Sequence, residues 1–309
     1  MKRCVYFNHD GGIDDLVSLF LLLQMKHIDL VGVGVIPADS YLKPAVSASK
    51  KIIDRFGHGK KIEVAESTSR GKHPFPKEWR IDPYRLDALP ILNEFPPTKA
   101  QTSKLPAHRD LINHIHASER PVTLVFTGPL TDLARALTRD PSIQRNIDKL
   151  VWMGGSFSEK GNVEDPQSDG TAEWNAYWDP HAVKRVWESE LPIELVAVES
   201  AIEVPLTEGM RLYWASMRQN IGIDFLGQCY ALVPPLTGTT SPYFLWDVLT
   251  VAAVGNPDLV TKQKVKSIVR TRGLAQGRTE ISPAGRPADV ISSLNCKDFV
   301  KYVTELARI

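Results

Sequence analysis

Short apolar runs recur along the chain between segments of helical spacing. Five of these runs predict buried strands: Cys4–Phe7, Leu30–Ile36, Val122–Phe126, Leu150–Met153 and Ile193–Val198. A run that is apolar at every position is typical of a strand covered on both faces, as in a parallel sheet. The strand pattern therefore favours a sheet that lies between two layers of helices.

The intervening segments predict those helices. Leu16–Met25 is almost entirely apolar, and Ala45–Phe56 carries apolar residues at helical spacing. Further helices are predicted through Leu130–Leu137 and over Trp246–Val254. Strands that alternate with helices predict the α/β class: a Rossmann-like fold with a mainly parallel central sheet and helices on both faces.

Two proline-rich segments interrupt this alternation. Prolines at the density of Arg70–Ala107 exclude long helices and central strands. Aromatic and apolar residues separate these prolines, so we interpret the segment as an excursion over the sheet rather than a linker. Val233–Tyr243 is a second irregular stretch. With no internal repeat, the sequence predicts a single domain over residues 1–309.

Composition and charge exclude several classes of protein. Hydrophobic residues make up 43% of the 309 residues, and 37 Lys and Arg nearly balance 36 Asp and Glu. A near-neutral chain has no electrostatic reason to bind nucleic acid or an anionic membrane. The longest apolar run, Leu19–Leu23, is far shorter than the ~20 residues of a membrane span.

The cysteines indicate the compartment. Cys4, Cys229 and Cys296 are odd in number and widely spaced, which fits neither a disulfide framework nor a zinc site. No apolar signal-peptide region follows the first residues. We therefore expect a cytoplasmic protein.

Acidic side chains are concentrated after the first predicted strand. Asp10, Asp14 and Asp15 lie within six residues, with two glycines between them. One interpretation is a helix N-terminus with favourable acids at its cap. The other is a metal or catalytic site, because crowded carboxylates raise one another's pKa unless a cation neutralises them. Oxygen ligands without a Cys or His cluster indicate a hard cation, Ca²⁺ or Mg²⁺.

Ligands of open α/β sheets bind beyond the carboxyl ends of the strands. The rule therefore predicts a ligand-binding site among the loops after Phe7, Ile36, Phe126 and Met153. The acidic loop is the first of these.

The acidic loop resembles the N-terminal signature of the nucleoside hydrolases, Asp-x-Asp-x-x-x-Asp-Asp. Further short motifs similar to those of the family follow in order: Thr127–Leu130, Trp152–Gly155, Gly161–Val163, Ala172–Asn175 with Asp179–Pro180, and Trp246–Asp247. The resemblance implies a nucleoside hydrolase fold and hydrolysis of an N-glycosidic bond.

Three features resemble the purine-specific branch, which prefers inosine, adenosine and guanosine. They are Pro74–Arg80, Ser168–Asn175 and the Trp246 that precedes Asp247, where pyrimidine-preferring members usually carry His. This resemblance implies a purine ribonucleoside substrate, a role in purine salvage and a homodimer. The alternatives are a broad or pyrimidine-preferring hydrolase, and a nucleoside- or ribose-binding protein without catalysis.

The resemblance also implies a Ca²⁺ site. Asp10, Asp15 and Asp247 match the family's carboxylate ligands, and the backbone carbonyl of Thr127 matches a fourth ligand. Asp10 also matches the general base that takes a proton from water. The first Asp of the signature is Asn8 here, a departure that removes one negative charge from the loop.

Further positions match the family's substrate-binding residues. The ribose contacts implied by the resemblance are Asp14, Asp39, Met153, Asn162, Glu173 and Asn175. Gly12 stands where the purine-specific branch can carry Asn, so one ribose contact is expected to be missing.

Trp79 and Trp246 are expected to sandwich the purine, with Trp174 nearby. Stacking would stabilise the protonated base, so no side chain need act as general acid. Among the histidines only His9 lies in the acidic loop, and we expect it to orient the backbone or face solvent.

Overall fold

The computed structural model describes residues 2–95, 98–233 and 243–309. The strands of this part of the chain are β1 (Arg3–His9), β2 (Ile28–Val35), β3 (Val64–Glu66), β4 (Val122–Phe126), β5 (Ile147–Met153), β6 (Ile193–Val196), β7 (Val260–Val269), β8 (Thr279–Ile281) and β9 (Arg286–Leu294). They form one sheet in the order β3-β2-β1-β4-β5-β6-β9-β7-β8.

Helices occupy most of the connections. They are α1 (Ile13–Gln24), α2 (Leu42–Phe56), α3 (Asp82–Asp87), α4 (Pro90–Asn93), α5 (Ala107–Ala117), α6 (Thr131–Arg139), α7 (Trp174–Trp178), α8 (Pro180–Trp187), α9 (Val198–Ala201), α10 (Glu208–Ala215), α11 (Ile221–Ala231), α12 (Trp246–Gly255) and α13 (Cys296–Ala307). Short 3-10 helices cover Pro141–Asn146 and Pro257–Leu259. No helix of the described ranges is long and apolar enough to cross a membrane.

The central strands pair in parallel, as the apolar runs predict. β1 pairs in parallel with β2 on one side and β4 on the other, and the parallel pairing continues through β5, β6 and β9. Only at one end does the direction change, where β7 pairs antiparallel with β9 and β8. The predicted α/β fold with a mainly parallel sheet is therefore confirmed.

Both faces of the sheet are buried. Val5 and Phe7 on β1 pack into one large apolar cluster with α1, α2 and α12. Cys4 and Tyr6 on the same strand pack into a second cluster, on the α5, α6 and α8 side. Since successive side chains of a strand point to opposite faces, only a strand buried on both sides can be apolar throughout.

The carboxyl ends of the first strands are tied to one another. The backbone N–H of Ile36 donates to His9 at 2.9 Å, and that of Thr127 donates to Asn8 at 3.0 Å. These bonds bring the loops after β1, β2 and β4 side by side, which is where the α/β rule expects a ligand.

The proline-rich segment contains only short helices, as its composition predicts. The described part of Arg70–Ala107 holds α3 and α4, and α5 begins at its last residue. An isolated parallel bridge joins Val64 to Thr102. The second irregular stretch, Val233–Tyr243, lies almost wholly outside the described residues.

Candidate active site

Acidic residues from three parts of the chain meet at the carboxyl edge of the sheet. Asp10, Asp14 and Asp15 follow β1, Asp39 follows β2, and Asp247 lies in the first turn of α12. Asp39 is half-buried, whereas the other four are at most 7% exposed. Buried carboxylates require compensation by hydrogen bonds or by positive charge.

Asp10 lies at the centre of this acidic cluster. Its Oδ2 accepts a hydrogen bond from the backbone N–H of Asp39 at 3.2 Å. Burial raises the pKa of Asp10 well above its usual value, and the negative charges of Asp15 and Asp39 raise it further. Asp10 is thus a carboxyl group held next to other carboxyl groups and shielded from solvent.

Asp15 serves as a helix cap. Its Oδ2 accepts the backbone N–H of Gly12 at 2.8 Å, and its Oδ1 accepts the hydroxyl of Thr127 at 2.5 Å. The capping interpretation of the loop therefore holds for Asp15. These two bonds join the start of α1 to the loop after β4, and they fix Asp15 beside Asp10.

Asp14 joins the acidic loop to α12. Its Oδ2 accepts the backbone N–H groups of Asp247 at 2.6 Å and Val248 at 3.1 Å. Its Oδ1 accepts the hydroxyl of Tyr230 on α11. Asp14 thus caps the N-terminus of α12, where a negative charge is favourable. We call Asp14, Tyr230 and the first turn of α12 the α12 clamp.

Sequence reasoning did not find Tyr230. The residue lies 216 positions from Asp14, inside an ordinary helix, and no local pattern distinguishes it from a core tyrosine. It is 1% exposed and stacks on Trp214 at 5.6 Å between ring centroids.

The charges that act on Asp247 come from neighbouring acids. Burial raises the pKa of Asp247 well above its usual value, and Asp15, Asp14, Asp10 and Asp39 raise it further. Buried oxygen donors that lack a positive partner fit a hard divalent cation. Within residues 2–95, 98–233 and 243–309, no group of three or more His, Cys, Asp or Glu side chains is arranged so that it could hold a metal ion without movement.

Two glycines let the backbone approach the cluster. Gly11 has φ +87°, and a Cβ there would lie 2.3 Å from the Cβ of Ala45. A Cβ on Gly128 would come within 3.0 Å of the Cβ of Asp10. Gly11 thus lets the acidic loop approach α2, and Gly128 lets the loop after β4 pack closely against Asp10.

The residues expected to contact ribose lie around the same edge. Asn175 Nδ2 donates to the backbone carbonyls of Thr127 and Met153, both at 3.1 Å. Asn175 Oδ1 is buried and has no hydrogen-bond partner among the described residues. Asn175 therefore joins the loop after β4 to the end of β5, and one of its polar atoms is free for a ligand.

Glu173 and Asn162 organise the segment before α7. Glu173 accepts the backbone N–H groups of Asn175 at 2.7 Å and of Gly155 and Ala176 at 3.0 Å, and burial raises its pKa to about 7. Asn162 Oδ1 accepts the backbone N–H of Trp174 at 3.0 Å. In this structure both residues hold backbone groups, and Glu173 caps α7.

An aromatic group lies above the end of β2. Trp174 is 5% exposed and stacks on Phe75 with ring centroids 5.1 Å apart. Trp79 is 44% exposed and meets Trp174 edge to face at 5.5 Å. Trp246 is not in contact with this group within the described residues: it is half-buried, packs against Phe244 with ring centroids 5.0 Å apart, and lies against the apolar cluster of α1, α2 and α12. Phe75 is a member of this group that sequence reasoning did not single out.

The expectation that His9 could face solvent is wrong. His9 is fully buried and stacks on Phe7 at 5.0 Å. Its Nε2 lies 3.2 Å from the Ser49 hydroxyl, which itself donates to the carbonyl of Ala45. Since the hydroxyl is already a donor, Nε2 carries the proton, and burial lowers the pKa of His9 to about 3.

The structure explains why position 8 is Asn where the family signature has Asp. Its Nδ2 donates to the buried carboxylate of Asp132 at 3.4 Å, and Asp132 also accepts the hydroxyls of Ser67 and Ser69, both at 2.8 Å. An Asp at position 8 would place a second carboxylate against Asp132. The amide supplies a donor instead of a repulsive charge.

Comparison with known proteins identifies the family. The family model of the inosine-uridine preferring nucleoside hydrolases matches residues 5–301. A solved structure of an inosine-uridine preferring nucleoside hydrolase from Bacillus anthracis is 57% identical, with a TM-score of 0.96 and 99% of each chain covered.

More distant relatives share the fold and parts of the sequence. Probable uridine nucleosidase 2 of Arabidopsis thaliana is 26% identical over 90% of this chain and 85% of its own. A purine-preferring ribonucleoside hydrolase from Gardnerella vaginalis has a TM-score of 0.79 at 22% identity, with 99% of each chain covered, and it shows the shared fold alone. The chain belongs to the inosine-uridine preferring nucleoside hydrolase family and is a hydrolase of N-glycosyl compounds.

Proposed function

We propose that the protein hydrolyses the N-glycosidic bond of purine ribonucleosides to free base and ribose, with Ca²⁺ as its cofactor. The observation that carries this proposal is the α12 clamp, in which Asp14 accepts the backbone N–H of Asp247 at 2.6 Å. The clamp brings the acidic loop into contact with the segment that carries Asp247, the acid of the Trp246–Asp247 motif.

The oxygen donors of the cluster suit calcium. Asp10, Asp15, Asp247 and the carbonyl of Thr127 would hold the ion, since carboxylates and carbonyls are its usual ligands. When bound, Ca²⁺ would coordinate the ribose hydroxyls and lower the pKa of the attacking water. Asn175, whose buried Oδ1 makes no hydrogen bond to the part of the chain that the structure describes, would supply a further polar group for the sugar.

Asp10 is the proposed general base. It is 3% exposed and is held by the backbone N–H of Asp39, so its position is defined before substrate arrives. An ionised carboxylate at this position would take the proton of the attacking water. The oxocarbenium character of the sugar is then stabilised by the surrounding carboxylates.

The leaving purine would lie between Trp79 and Trp246, next to Trp174. Trp79 is exposed on a proline-rich segment, and its edge-to-face contact with Trp174 leaves a ring face open. A ring face attracts positive charge, so stacking favours a base that is protonated as it leaves. Solvent can supply that proton, which explains how Trp replaces His before Asp247.

The Trp246→Ala substitution tests this stacking. We expect it to lower kcat/KM for inosine by about 10- to 100-fold, because a stacking contribution of about 1–3 kcal/mol is lost. Turnover of a p-nitrophenyl riboside should fall far less, since p-nitrophenolate leaves without protonation. Steady-state kinetics of both substrates give the answer, and Trp187→Phe, in the core, is the matched control. Equal losses on both substrates would refute the stacking role.

A substrate panel tests the preferred base. Release of free base from inosine, adenosine, guanosine, uridine and cytidine should be at least about tenfold faster for the purines, equivalent to roughly 1.4 kcal/mol. The second candidate is a broad hydrolase, which the inosine-uridine preference of the 57% identical Bacillus anthracis relative favours. Comparable turnover of uridine and inosine would establish it in place of the purine preference.

The same panel addresses a binding protein without catalysis. Tight binding of inosine by calorimetry, without release of hypoxanthine, would support that interpretation. The buried carboxylates argue against it, because binding a neutral nucleoside does not require several uncompensated acids in one pocket.

A further inference from the structure

A concave surface between α6 and α8 is rich in positive charge. The cleft has a volume of about 560 Å³, and Arg135, Arg139 and Arg185 all line it. His108, from the start of α5, and the hydroxyl-bearing Thr138 complete its wall. A cleft of this size can take a small ligand of the size of a phosphorylated sugar.

The arginines of this cleft contact neutral oxygen atoms. Arg135 Nη1 donates to the hydroxyl of Ser69 at 2.8 Å and to that of Thr68 at 3.1 Å. Arg185 Nη2 donates to the carbonyl of Leu137 at 3.0 Å. These bonds orient the guanidinium groups without cancelling their charge, and within the described residues none of the cleft's arginines forms an ion pair with a carboxylate.

One carboxylate lines the cleft and does not neutralise it. Asp179 accepts the hydroxyl of Thr131 at 2.8 Å and the backbone N–H of Ala182 at 3.1 Å, where it caps α8. Three guanidinium groups thus line the cleft with one carboxylate, and the buried carboxylate of Asp132, which accepts the Ser69 hydroxyl behind the wall, attracts Arg135 from below. The net charge of the wall is positive.

His108 responds to the same positive field. The side chain is 8% exposed, and its Nδ1 is buried with no hydrogen-bond partner within residues 2–95, 98–233 and 243–309. Burial lowers the pKa of His108 to about 4, and the charges of Arg135, Arg139 and Arg109 lower it further. A neutral imidazole at this position neither adds to nor cancels the charge of the three guanidinium groups.

We propose that this cleft binds a small phosphate-bearing anion, either inorganic phosphate or a phosphate monoester of a sugar or nucleoside. Guanidinium groups present paired N–H donors that match the oxygens of phosphate, and several of them around one concave surface are a recurrent phosphate site. Arg135, Arg139 and Arg185 would supply the donors, whereas the Thr138 hydroxyl already donates to the carbonyl of Ala134 and orients Arg185. The site is separate from the proposed hydrolysis and does not depend on it.

Calorimetric titration at constant ionic strength tests the site. The probes are inorganic phosphate, ribose 5-phosphate and inosine 5′-monophosphate. Arg139→Gln should weaken binding by about tenfold, since one charge-assisted interaction is lost. Arg139 is exposed, and no hydrogen bond from it to the described residues would be broken. Arg272→Gln, an exposed arginine beyond β7, is the matched control and should bind like the wild type.

The pattern of affinities identifies the ligand. Equal affinity for all three probes would establish free phosphate as the ligand, whereas tighter binding of an ester that Arg139→Gln also weakens would establish a phosphorylated sugar or nucleotide. Probe binding that is the same in Arg139→Gln as in Arg272→Gln would place the anion elsewhere on the protein and overturn the proposal. Failure of all three probes to bind, or a change of oligomeric state in Arg139→Gln without loss of phosphate affinity, would overturn it too.

Discussion

Asp10→Asn should lower the turnover of inosine by about 10²- to 10⁴-fold, the range that a positioned general base contributes. The amide keeps an oxygen that can accept the backbone N–H of Asp39, so the loop has no reason to move. It removes the group that takes the proton from water. Single-turnover measurement of base release gives the rate of the chemical step, and circular dichroism reports the fold.

The control for this substitution is Asp148→Asn. Asp148 lies near the start of β5, at the opposite edge of the sheet from Asp10, where its carboxylate accepts the hydroxyl of Thr123 at 2.9 Å. It should retain wild-type turnover. If Asp10→Asn kept near-full activity, the assignment of the base would fail while the metal proposal still stood.

Removal of calcium should abolish turnover, and added calcium should restore it. A cation that binds only the folded protein also stabilises it, by about 2.7 kcal/mol when present at a hundredfold excess over Kd. Thermal unfolding of chelator-treated protein with and without Ca²⁺ therefore provides a readout besides activity. Mg²⁺ should serve less well, because it gives up water reluctantly and demands an octahedral site.

Asp247→Asn separates calcium binding from general stability. The backbone N–H that Asp14 accepts is unchanged by this substitution, so α12 keeps its cap. The calcium-induced rise in Tm should nevertheless shrink, because one carboxylate ligand is gone. Unchanged turnover after chelation, with no effect of Ca²⁺ on Tm, would contradict the metal site.

The buried strands and helices of the fold were accessible from the sequence. Val122–Phe126 forms a strand with the predicted bounds, and Trp246 begins a helix as predicted. These elements are buried on all sides or amphipathic. Their burial therefore produces a clear spacing of apolar residues in the sequence. The acidic loop was recognisable because three acids next to an apolar helix do not contribute to a hydrophobic core and so indicate another role.

The antiparallel end of the sheet did not stand out. β7 carries Lys262, Lys264 and Lys266 at alternate positions and is largely solvent-facing. Such a strand buries little apolar surface, so its pattern is weak, although alternating lysines are a usual protection for a strand near a sheet edge.

The connections within the site also escaped prediction. Tyr230 and Asp132 hold Asp14 and Asn8 through contacts between residues far apart in the chain. The cap that Asp14 provides to α12 likewise joins residues 233 positions apart. No spacing rule conveys that information, because it arises only when the strands are ordered in the sheet.

Because the α12 clamp joins residues from near the two ends of the chain, the site is completed only late in translation. Asp14 and Asp247 are 233 residues apart, so at about 5–20 residues per second a ribosome needs roughly 10–50 s to make the second after the first. Throughout that interval the nascent chain has its acidic loop but no α12 to dock on it. Hydrolytic capacity therefore arises late in translation, and a chain that is released before Trp246 leaves Asp14 without its helix.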